Sequence, residues 1–300
     1  MNFISNYPGE LAALLTAVFW TITALAFESA SRKVGSLSVN LIRLFAAFIF
    51  LSLYAWAVRG VPFPTDAGTH QWIWLSISGL VGFVLGDLFL FKSYEYVSSK
   101  ISMLVMSLAP PIAAVLGWIM LSEPFSWMNF LGMVLVLSGV SLVVLKKDKG
   151  NGVKSYRYPV KGILLALGGA VGQGVGSVFS KIGMGNLDPF ESSQIRVITG
   201  IVGFVIIISV LNKWKVFGQG LKDKKASQAL VVGSFFGPFL GVSLGMVAFK
   251  YTTLGIASTL MATVPVFILL PSHILFKEEV TLNEIIGAVV AVGGIIVFFL

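Results

Sequence analysis

The sequence predicts an all-α integral membrane protein of ten transmembrane helices, arranged as two inverted five-helix repeats. Charged residues make up 11% of the chain and apolar residues 56%, whereas soluble domains carry about 25% charged residues. The mean hydropathy is +0.92, and apolar runs long enough to cross a bilayer recur along the chain. A soluble protein of this size needs polar faces on its helices, so we expect lipid to cover much of this surface.

Charge and cysteine content exclude several classes of function. The net charge is +8, but the basic residues lie in short loops rather than in a groove with aromatic side chains, which argues against nucleic-acid binding. The chain contains no cysteine, so disulfides, thiolate catalysis and cysteine-ligated metals are excluded. Two histidines, His70 and His273, are too few for a histidine metal cluster, and we expect no cofactor and no metal.

Ten apolar segments are bounded by polar residues, and each is long enough for a hydrocarbon core of about 30 Å. The predicted spans are residues 9–30, 37–58, 71–97, 101–121, 127–145, 160–183, 190–211, 227–251, 254–276 and 281–300. Several connections are only a few residues long, so consecutive spans must be antiparallel neighbours. The longest polar stretch lies at mid-chain, over residues 146–159.

The two halves of the chain match each other at residue types that rarely align by chance. A shift of 155 residues places Gly86 on Gly241, Tyr96 on Tyr251, Pro110 on Pro265, Glu123 on Glu278, Gly132 on Gly287 and Gly139 on Gly294. Upstream, a shift of 153 residues places Gly9 on Gly162, Ala17 on Ala170 and Arg43 on Arg196. We therefore predict one five-span repeat over residues 1–148 and a second over residues 149–300.

Two homologous units with an odd number of spans enter the membrane in opposite orientations when they share one chain. The repeats are therefore predicted to be inverted, related by a pseudo-two-fold axis in the membrane plane. Many secondary transporters follow this plan and bind their substrate near the bilayer midplane, between the halves. We expect such a site to be lined by predicted spans one, three, four, six, eight and nine.

Short motifs in both halves resemble a known family. Residues 17–20, residues 40–47 around Arg43, and a Pro…Glu…Gly pattern look like the drug/metabolite transporter superfamily, in its EamA-type ten-span branch. That pattern reads Pro110, Glu123 and Gly132 in the first half and Pro265, Glu278 and Gly287 in the second. The resemblance covers nearly the whole chain. It implies two EamA-like repeats and efflux or exchange of small organic metabolites, such as amino acids or sugars, by alternating access.

Ionisable residues inside apolar spans are the first candidates for function, because Asp, Lys or Arg at the bilayer centre costs about 2.5–3.5 kcal/mol on insertion scales. Asp87 is the most deeply placed acid of the third span, and Tyr94 lies on roughly the same helical face. The candidates for substrate binding or coupling are Trp20, Glu28, Arg43, Asp87, Tyr94, Gln173, Lys181, Arg196 and His273.

The repeat separates these candidates into two groups. Arg43 and Arg196 occupy equivalent positions, which favours a role in the scaffold, such as pairing or carbonyl capping at helix ends. The counterparts of Asp87 and Trp20 in the second half are a valine and Gln173. Such asymmetric positions favour contact with a substrate, although interface packing stays open for Trp20 and a structural role for Asp87.

Prolines and glycines are candidates for movement. Pro110 and Pro265 lie inside predicted spans four and nine, where each removes a backbone N–H and frees a carbonyl of the preceding turn. They are predicted to form hinges, with static kinks as the alternative. Glycines recur every four residues in predicted spans six and eight, which lets another helix approach closely. Both tight packing and sliding during gating are compatible with that pattern.

Two other classes of function stay open. One is a channel-like or facilitative permease without ion coupling, and the other is an integral-membrane enzyme acting on a lipid-soluble substrate. The sequence carries no H-E-x-x-H motif, no P-loop and no acidic pair spaced for Mg²⁺, so we expect no enzyme. The expected partners are the lipid bilayer, a small-molecule solute and a proton or other coupling ion, in a plasma membrane or bacterial inner membrane.

Loop charges and the family resemblance give opposite membrane orientations. The loops after predicted spans one, five and seven carry Arg32 and Lys33; Lys146, Lys147, Lys149, Lys154 and Arg157; and Lys213, Lys215, Lys222, Lys224 and Lys225. All three loops lie on one side, and basic residues favour the cytoplasmic side, so the charges place both termini outside. The family resemblance instead implies termini in the cytoplasm.

Cysteine labelling tests the orientation, because the chain has no cysteine of its own. We expect Gly150→Cys and Gly152→Cys to be shielded from a membrane-impermeant thiol reagent in intact cells, since basic loops resist translocation. Thr65→Cys, between predicted spans two and three, serves as the labelled control. Ready labelling at residues 150 and 152 would reverse the orientation.

Overall fold

A computed structural model describes residues 7–121, 126–144, 147–148, 155–156, 158–220, 222–252, 254–277 and 279–298. Its helices are α1 (Pro8–Val34), α2 (Ser36–Arg59), α3 (Thr69–Ser78), α4 (Asp87–Ser93), α5 (Ser99–Met106), α6 (Ala109–Leu121), α7 (Trp127–Val144), α8 (Val160–Met184), α9 (Pro189–Val210), α10 (Trp214–Gly220), α11 (Lys224–Ser234), α12 (Val242–Tyr251), α13 (Leu254–Met261), α14 (Val264–Phe267), α15 (Leu269–Phe276) and α16 (Leu282–Phe298). The predicted turn acids Glu123 and Glu278 lie outside the described residues, as does most of the basic loop after predicted span five.

The described part of the chain is an all-helical membrane fold, apart from one short strand pair. Seven helical segments are long and apolar enough to cross a membrane, and three shorter apolar helices lie at predicted spans five, nine and ten. The ten-span count itself stays a prediction. In the polar mid-chain stretch, β1 (Lys147–Asp148) pairs with β2 (Ser155–Tyr156) in antiparallel register, which hydropathy did not predict.

The helices repeat with the same spacing as the sequence. The starts of α3 and α11, of α4 and α12, of α5 and α13, of α6 and α14, and of α7 and α16 are each 155 residues apart. The third helix of each half is interrupted by a π-helical segment, π1 (Gly79–Gly86) and π2 (Phe235–Gly241). Wider π-helical turns are rare and concentrate at functional sites. Their recurrence at equivalent positions makes these two helices candidates for a functional role.

The prolines predicted as hinges lie where a helix restarts rather than inside one. Pro110 is the second residue of α6, and Pro265 is in the first turn of α14, where a missing N–H leaves no helical bond unmade. The hydroxyls of Ser107 and Thr263 donate to the carbonyls of the preceding turn, at 2.6 and 2.7 Å. At each break, a side-chain hydroxyl therefore provides a hydrogen bond for a backbone carbonyl, which is needed where no water is present.

Glycines let the third helix of the first half lie directly against α8. A Cβ at Gly172 would meet the Cα of Gly86 at 2.5 Å, and a Cβ at Gly176 would meet the Cα of Gly82 at 3.0 Å. With the halves exchanged, α1 packs against α11, π2 and α12, where Gly233 and Gly237 lie against the side chains of Phe27 and Thr23. Two glycines of the ladder in predicted span six thus make a tight backbone contact, whereas Gly168 lies against the ring of Phe89.

The last helices of the two halves, α7 and α16, pack on each other through repeat-related glycines. A Cβ at Gly139 would meet the carbonyl oxygen of Gly287 at 2.6 Å, and a Cβ at Gly294 would meet that of Gly132 at 2.9 Å. Shifting by 155 residues turns the first contact into the second. Reciprocal contacts of this kind are what a two-fold relation produces.

The glycine contact between π1 and α8 can be tested by one methyl group. We expect Gly172→Ala to destabilise the protein by about 1–3 kcal/mol, because the added carbon has only backbone to displace. Gly293→Ala in α16 is the matched control, since nothing lies within 4 Å of its Cβ and alanine favours a helix. Thermal unfolding in detergent measures both variants, and equal midpoints would contradict the described packing.

Candidate functional site

A cavity of about 160 Å³ lies between the helices of the two halves. One water molecule requires about 10–15 Å³ of cavity volume. The cavity is about ten times larger, so a small organic solute fits. Trp20, Phe83, Gln173 and Pro238 line the cavity, and each stands near the middle of its membrane-length helix. The cavity therefore extends to mid-length of the bundle.

The wall combines a few polar groups with a larger apolar surface. Its polar and charged members are Thr23, Arg43, Asp87, Tyr94, Ser107, Gln173, Ser177, Arg196 and Ser258. Rings and thioethers contribute Trp20, Phe27, Phe83, Phe91, Phe249, Met103, Met106, Met246 and Met261. A mostly apolar pocket with a few convergent polar groups is the usual composition of a small-molecule site.

A buried ion pair joins α2 to the helix that follows π1. An Arg43 Nη2 atom lies 2.5 Å from Oδ2 of Asp87, and the two side chains are 3% and 6% exposed. Gln173, from α8 in the second half, donates to the other carboxylate oxygen at 2.7 Å. Asp87 thus accepts from both halves of the chain, at the point where π1 ends.

The guanidinium of Arg43 is held in place on several sides. Its Nε donates to the side-chain oxygen of Asn40 at 3.1 Å, and Asn40 donates in turn to the Ser36 carbonyl at 3.0 Å. Its Cζ lies 4.8 Å from the ring centre of Phe91 and 5.5 Å from that of Phe83. Aromatic faces attract a cation, most strongly where water is excluded.

The second arginine of the cavity stands in a different environment. Arg196 is 6% exposed, and its Cζ lies 4.4 Å from the ring centre of Phe83, which therefore contacts both guanidiniums. Within the described residues it forms no ion pair, and its Nε has no hydrogen-bond partner. The two repeat-related arginines therefore share a cavity but have different partners.

Most of the predicted site residues come together at this cavity. Its wall contains Trp20, Arg43, Asp87, Tyr94, Gln173, Arg196 and both predicted hinge residues, Pro110 and Pro265. The lining helices include predicted spans one, three, four, six, eight and nine, and spans two and seven add one arginine each. Whether these residues bind substrate stays a prediction.

Three predicted residues lie away from the cavity. Glu28 accepts from the Ser99 backbone N–H at 2.9 Å and pairs with Arg32 at 2.8 Å, so it anchors the start of α5. Lys181 lies in the last turn of α8. His273 is exposed on the outer face of α15 beside Ile274, because the helix turns that face away from the bundle.

The scaffold role predicted for the duplicated arginines stays a prediction, and Arg43 pairs with Asp87, the first residue of α4. Both arginine side chains also line the cavity. Sequence reasoning had no way to see this, because duplication reports equivalent positions but not which space the helices enclose. It also missed Asn40 and Phe83. Asn40 lies one helical turn before Arg43, a spacing that could have indicated it, whereas Phe83 carries no polar signal.

Comparison with known proteins identifies the family. The EamA-like transporter family matches residues 7–145 and 160–300. The chain belongs to this family. It is a multi-pass membrane protein with two EamA-like units in sequence.

Relatives of this family member include proteins named as transporters. Human solute carrier family 35 member G1 is 26% identical over 220 residues, covering 71% of this chain and 58% of the human protein. An uncharacterized transporter of Archaeoglobus fulgidus is 23% identical over 288 residues, covering 94% and 95% of the two chains. A solved crystal structure shares the fold, with a TM-score of 0.67, 19% identity, and coverage of 97% and 96%. The matched part of this chain therefore spans little more than half of the human relative.

The buried ion pair predicts a strong dependence on both partners. We expect Asp87→Asn to destabilise the protein by about 3–5 kcal/mol, because Arg43 is left as a buried charge without a counter-charge. The double variant Arg43→Gln/Asp87→Asn should lose less than the sum of the single variants. Unfolding in mixed micelles gives the required free energies.

A matched control is Asp66→Asn, which breaks an ion pair with Arg59 in which the acid is 67% exposed. Exposed pairs contribute about 0–1 kcal/mol, so little loss is expected. Additive losses at positions 43 and 87 would contradict a coupled pair.

Proposed function

We propose that this chain is a secondary transporter that moves small organic metabolites, such as amino acids or sugars, across a cell membrane by alternating access. The observation that carries the proposal is the cavity at mid-length, lined by both halves and containing the buried network of Arg43, Asp87 and Gln173. Buried charges in a membrane bundle are costly and concentrate along substrate and ion pathways. Export or exchange is the proposed direction, following the family resemblance.

The proposed architecture is an inverted repeat of residues 1–148 and 149–300. The equal spacing of the helix starts and the reciprocal glycine contacts of α7 and α16 support it. In such a fold the shared cavity lies near the pseudo-two-fold axis, and rocking of one half against the other exposes it alternately.

The interrupted helices supply the proposed moving parts. α5 and α6 are separated by a turn before Pro110, and α13 and α14 by a turn before Pro265, and both prolines line the cavity. A break in a helix concentrates a change of direction in a few residues, as in a hinge. Because the breaks occur in both halves, each half could bend at its own break while the other stays closed, as alternating access requires.

Transport in proteoliposomes tests the proposal. Purified protein, preloaded with unlabelled solute, should accelerate entry of the same radiolabelled solute from a panel of amino acids, sugars and organic acids. Such counterflow requires a carrier that binds solute on alternate sides. Flux without counterflow or saturation would indicate a channel-like permease, and a panel without any protein-dependent flux would contradict transport.

Asp87 is the proposed coupling group, because a proton-coupled carrier needs a carboxylate whose protonation differs between its two states. We expect Asp87→Asn to abolish accumulation driven by a pH gradient and to spare solute exchange, which needs no net proton movement. Loss of exchange together with accumulation, in a variant whose unfolding transition shows that it is folded, would instead place Asp87 in substrate binding. Uptake and counterflow on the same proteoliposomes distinguish these outcomes.

Glu28→Gln is the comparison for that experiment, because Glu28 is buried but does not line the cavity. We expect it to retain accumulation. Unimpaired accumulation by Asp87→Asn together with a loss in Glu28→Gln would move the coupling role to Glu28.

A further inference from the structure

The cavity contains a buried cation whose charge the described residues leave unbalanced. Arg196 is 94% buried and lines the cavity, and no described carboxylate lies within ion-pair distance of it. Its buried Nε donor has no hydrogen-bond partner. A buried donor without a partner costs free energy, and a buried charge costs more, so a group placed this way calls for a ligand.

The internal repeat explains why this partner is missing. In the first half, Arg43 of α2 pairs with Asp87, the first residue of α4. In the second half, Arg196 takes the place of Arg43, but the residue equivalent to Asp87 is Val242, the first residue of α12. Both Arg196 and Val242 line the cavity. The second half thus repeats the cation and omits its counter-ion.

Asp87 does not balance both arginines. One of its carboxylate oxygens accepts from Arg43, and the other accepts from Gln173. The charged side chains of the wall are Arg43, Asp87 and Arg196, which leaves one positive charge over. One monoanion in the cavity would neutralise it.

The surroundings of Arg196 leave its guanidinium accessible from the cavity. A Cβ at Gly82 would lie 3.2 Å from Nη2 of Arg196, so a side chain at that position would crowd it. Phe83 stacks near it and provides no acceptor that would compete with a ligand. A guanidinium presents parallel N–H groups that match the two oxygens of a carboxylate.

We propose that Arg196 binds the carboxylate of the transported solute, which takes the position that Asp87 holds in the first half. The proposal rests on the transport function proposed above and names its substrate class: small organic monocarboxylates with an apolar body. The body would lie against the methionines and aromatic rings of the wall. A phosphate monoester fits less well, because it carries about 1.5–2 negative charges against one unbalanced positive charge.

Matched acids and amides test this on the purified protein. The probes are 3-phenylpropanoate with 3-phenylpropanamide, isovalerate with isovaleramide, and leucine with leucinamide, and phenyl phosphate is a further arm. The melting temperature of the wild type should rise with at least one of the acids, and less with its amide, because only the acid presents a carboxylate to Arg196. Stabilisation by leucine but not by isovalerate would assign the carboxylate to amino acids, and the reverse to simple acids.

Substitutions then assign the effect to Arg196. Arg196→Gln should weaken binding of the effective acid by about 10- to 100-fold, the loss expected for hydrogen bonds to a charged group. Arg196→Lys should retain part of the affinity, since it keeps the charge and loses the paired N–H groups. Lys92→Gln is the control, because that cation lies outside the cavity, is 41% exposed and pairs with Glu95.

Several results would overturn the proposal. They are equal stabilisation by acid and amide, a preference for phenyl phosphate over every carboxylate, no stabilisation by any acid, or unchanged acid binding by Arg196→Gln. If Arg196→Gln does not fold, the acid–amide difference in the wild type and the affinity of Arg196→Lys still decide the outcome.

The transport assay separates the two proposals. Counterflow of neutral or cationic solutes without any carboxylate would overturn the assignment of Arg196 and leave the transport function standing. Binding of an acid that depends on Arg196, without flux of any solute, would support the assignment of Arg196 and overturn the transport function.

Discussion

The contact between Arg43 and Asp87 is the interaction on which the interior depends. The two side chains stand 2.5 Å apart with almost no exposure, in a protein whose outer surface faces lipid. Their mutual attraction offsets the loss of hydration only while both remain and their other hydrogen-bonding groups are satisfied. Asn40, Gln173 and the aromatic rings meet that requirement, and in doing so they fix how α2, α4 and α8 approach one another.

Small residues make this arrangement possible on the other side of the same helices. The third helix of the first half must bring Asp87 to α2 while lying against α8, and Gly82 and Gly86 allow the backbones to touch there. The π-helical segment π1 occupies the same stretch. Its wider turns rotate the residues after it, including Asp87, relative to those of α3. The same helix therefore packs closely through its glycines and gives its buried polar groups hydrogen-bond partners, and an interior without water requires both.

Duplication supplies the scaffold and asymmetry supplies the chemistry. The helix starts, the π-helical turns, the restarts at proline and the arginines all occur twice. Asp87 and Trp20 face Val242 and Gln173 across the repeat, and these positions meet in one cavity. A fold that repeats itself can vary a few residues in one half without changing the packing that both halves share.

The sequence alone determined the membrane setting, the helices, the repeat spacing and the family, because hydropathy, glycine and proline positions are properties of local stretches of chain. It also selected Asp87, Trp20, Tyr94 and Gln173, since polar and aromatic residues inside apolar spans are few. Tertiary structure decided which of these share a space. The partner of Arg43 is 44 residues away, the exposure of His273 depends on the rotation of α15, and the isolation of Arg196 depends on what faces it from α12. Such relations are set by the packing of helices against each other, and a linear pattern of hydropathy carries no record of them.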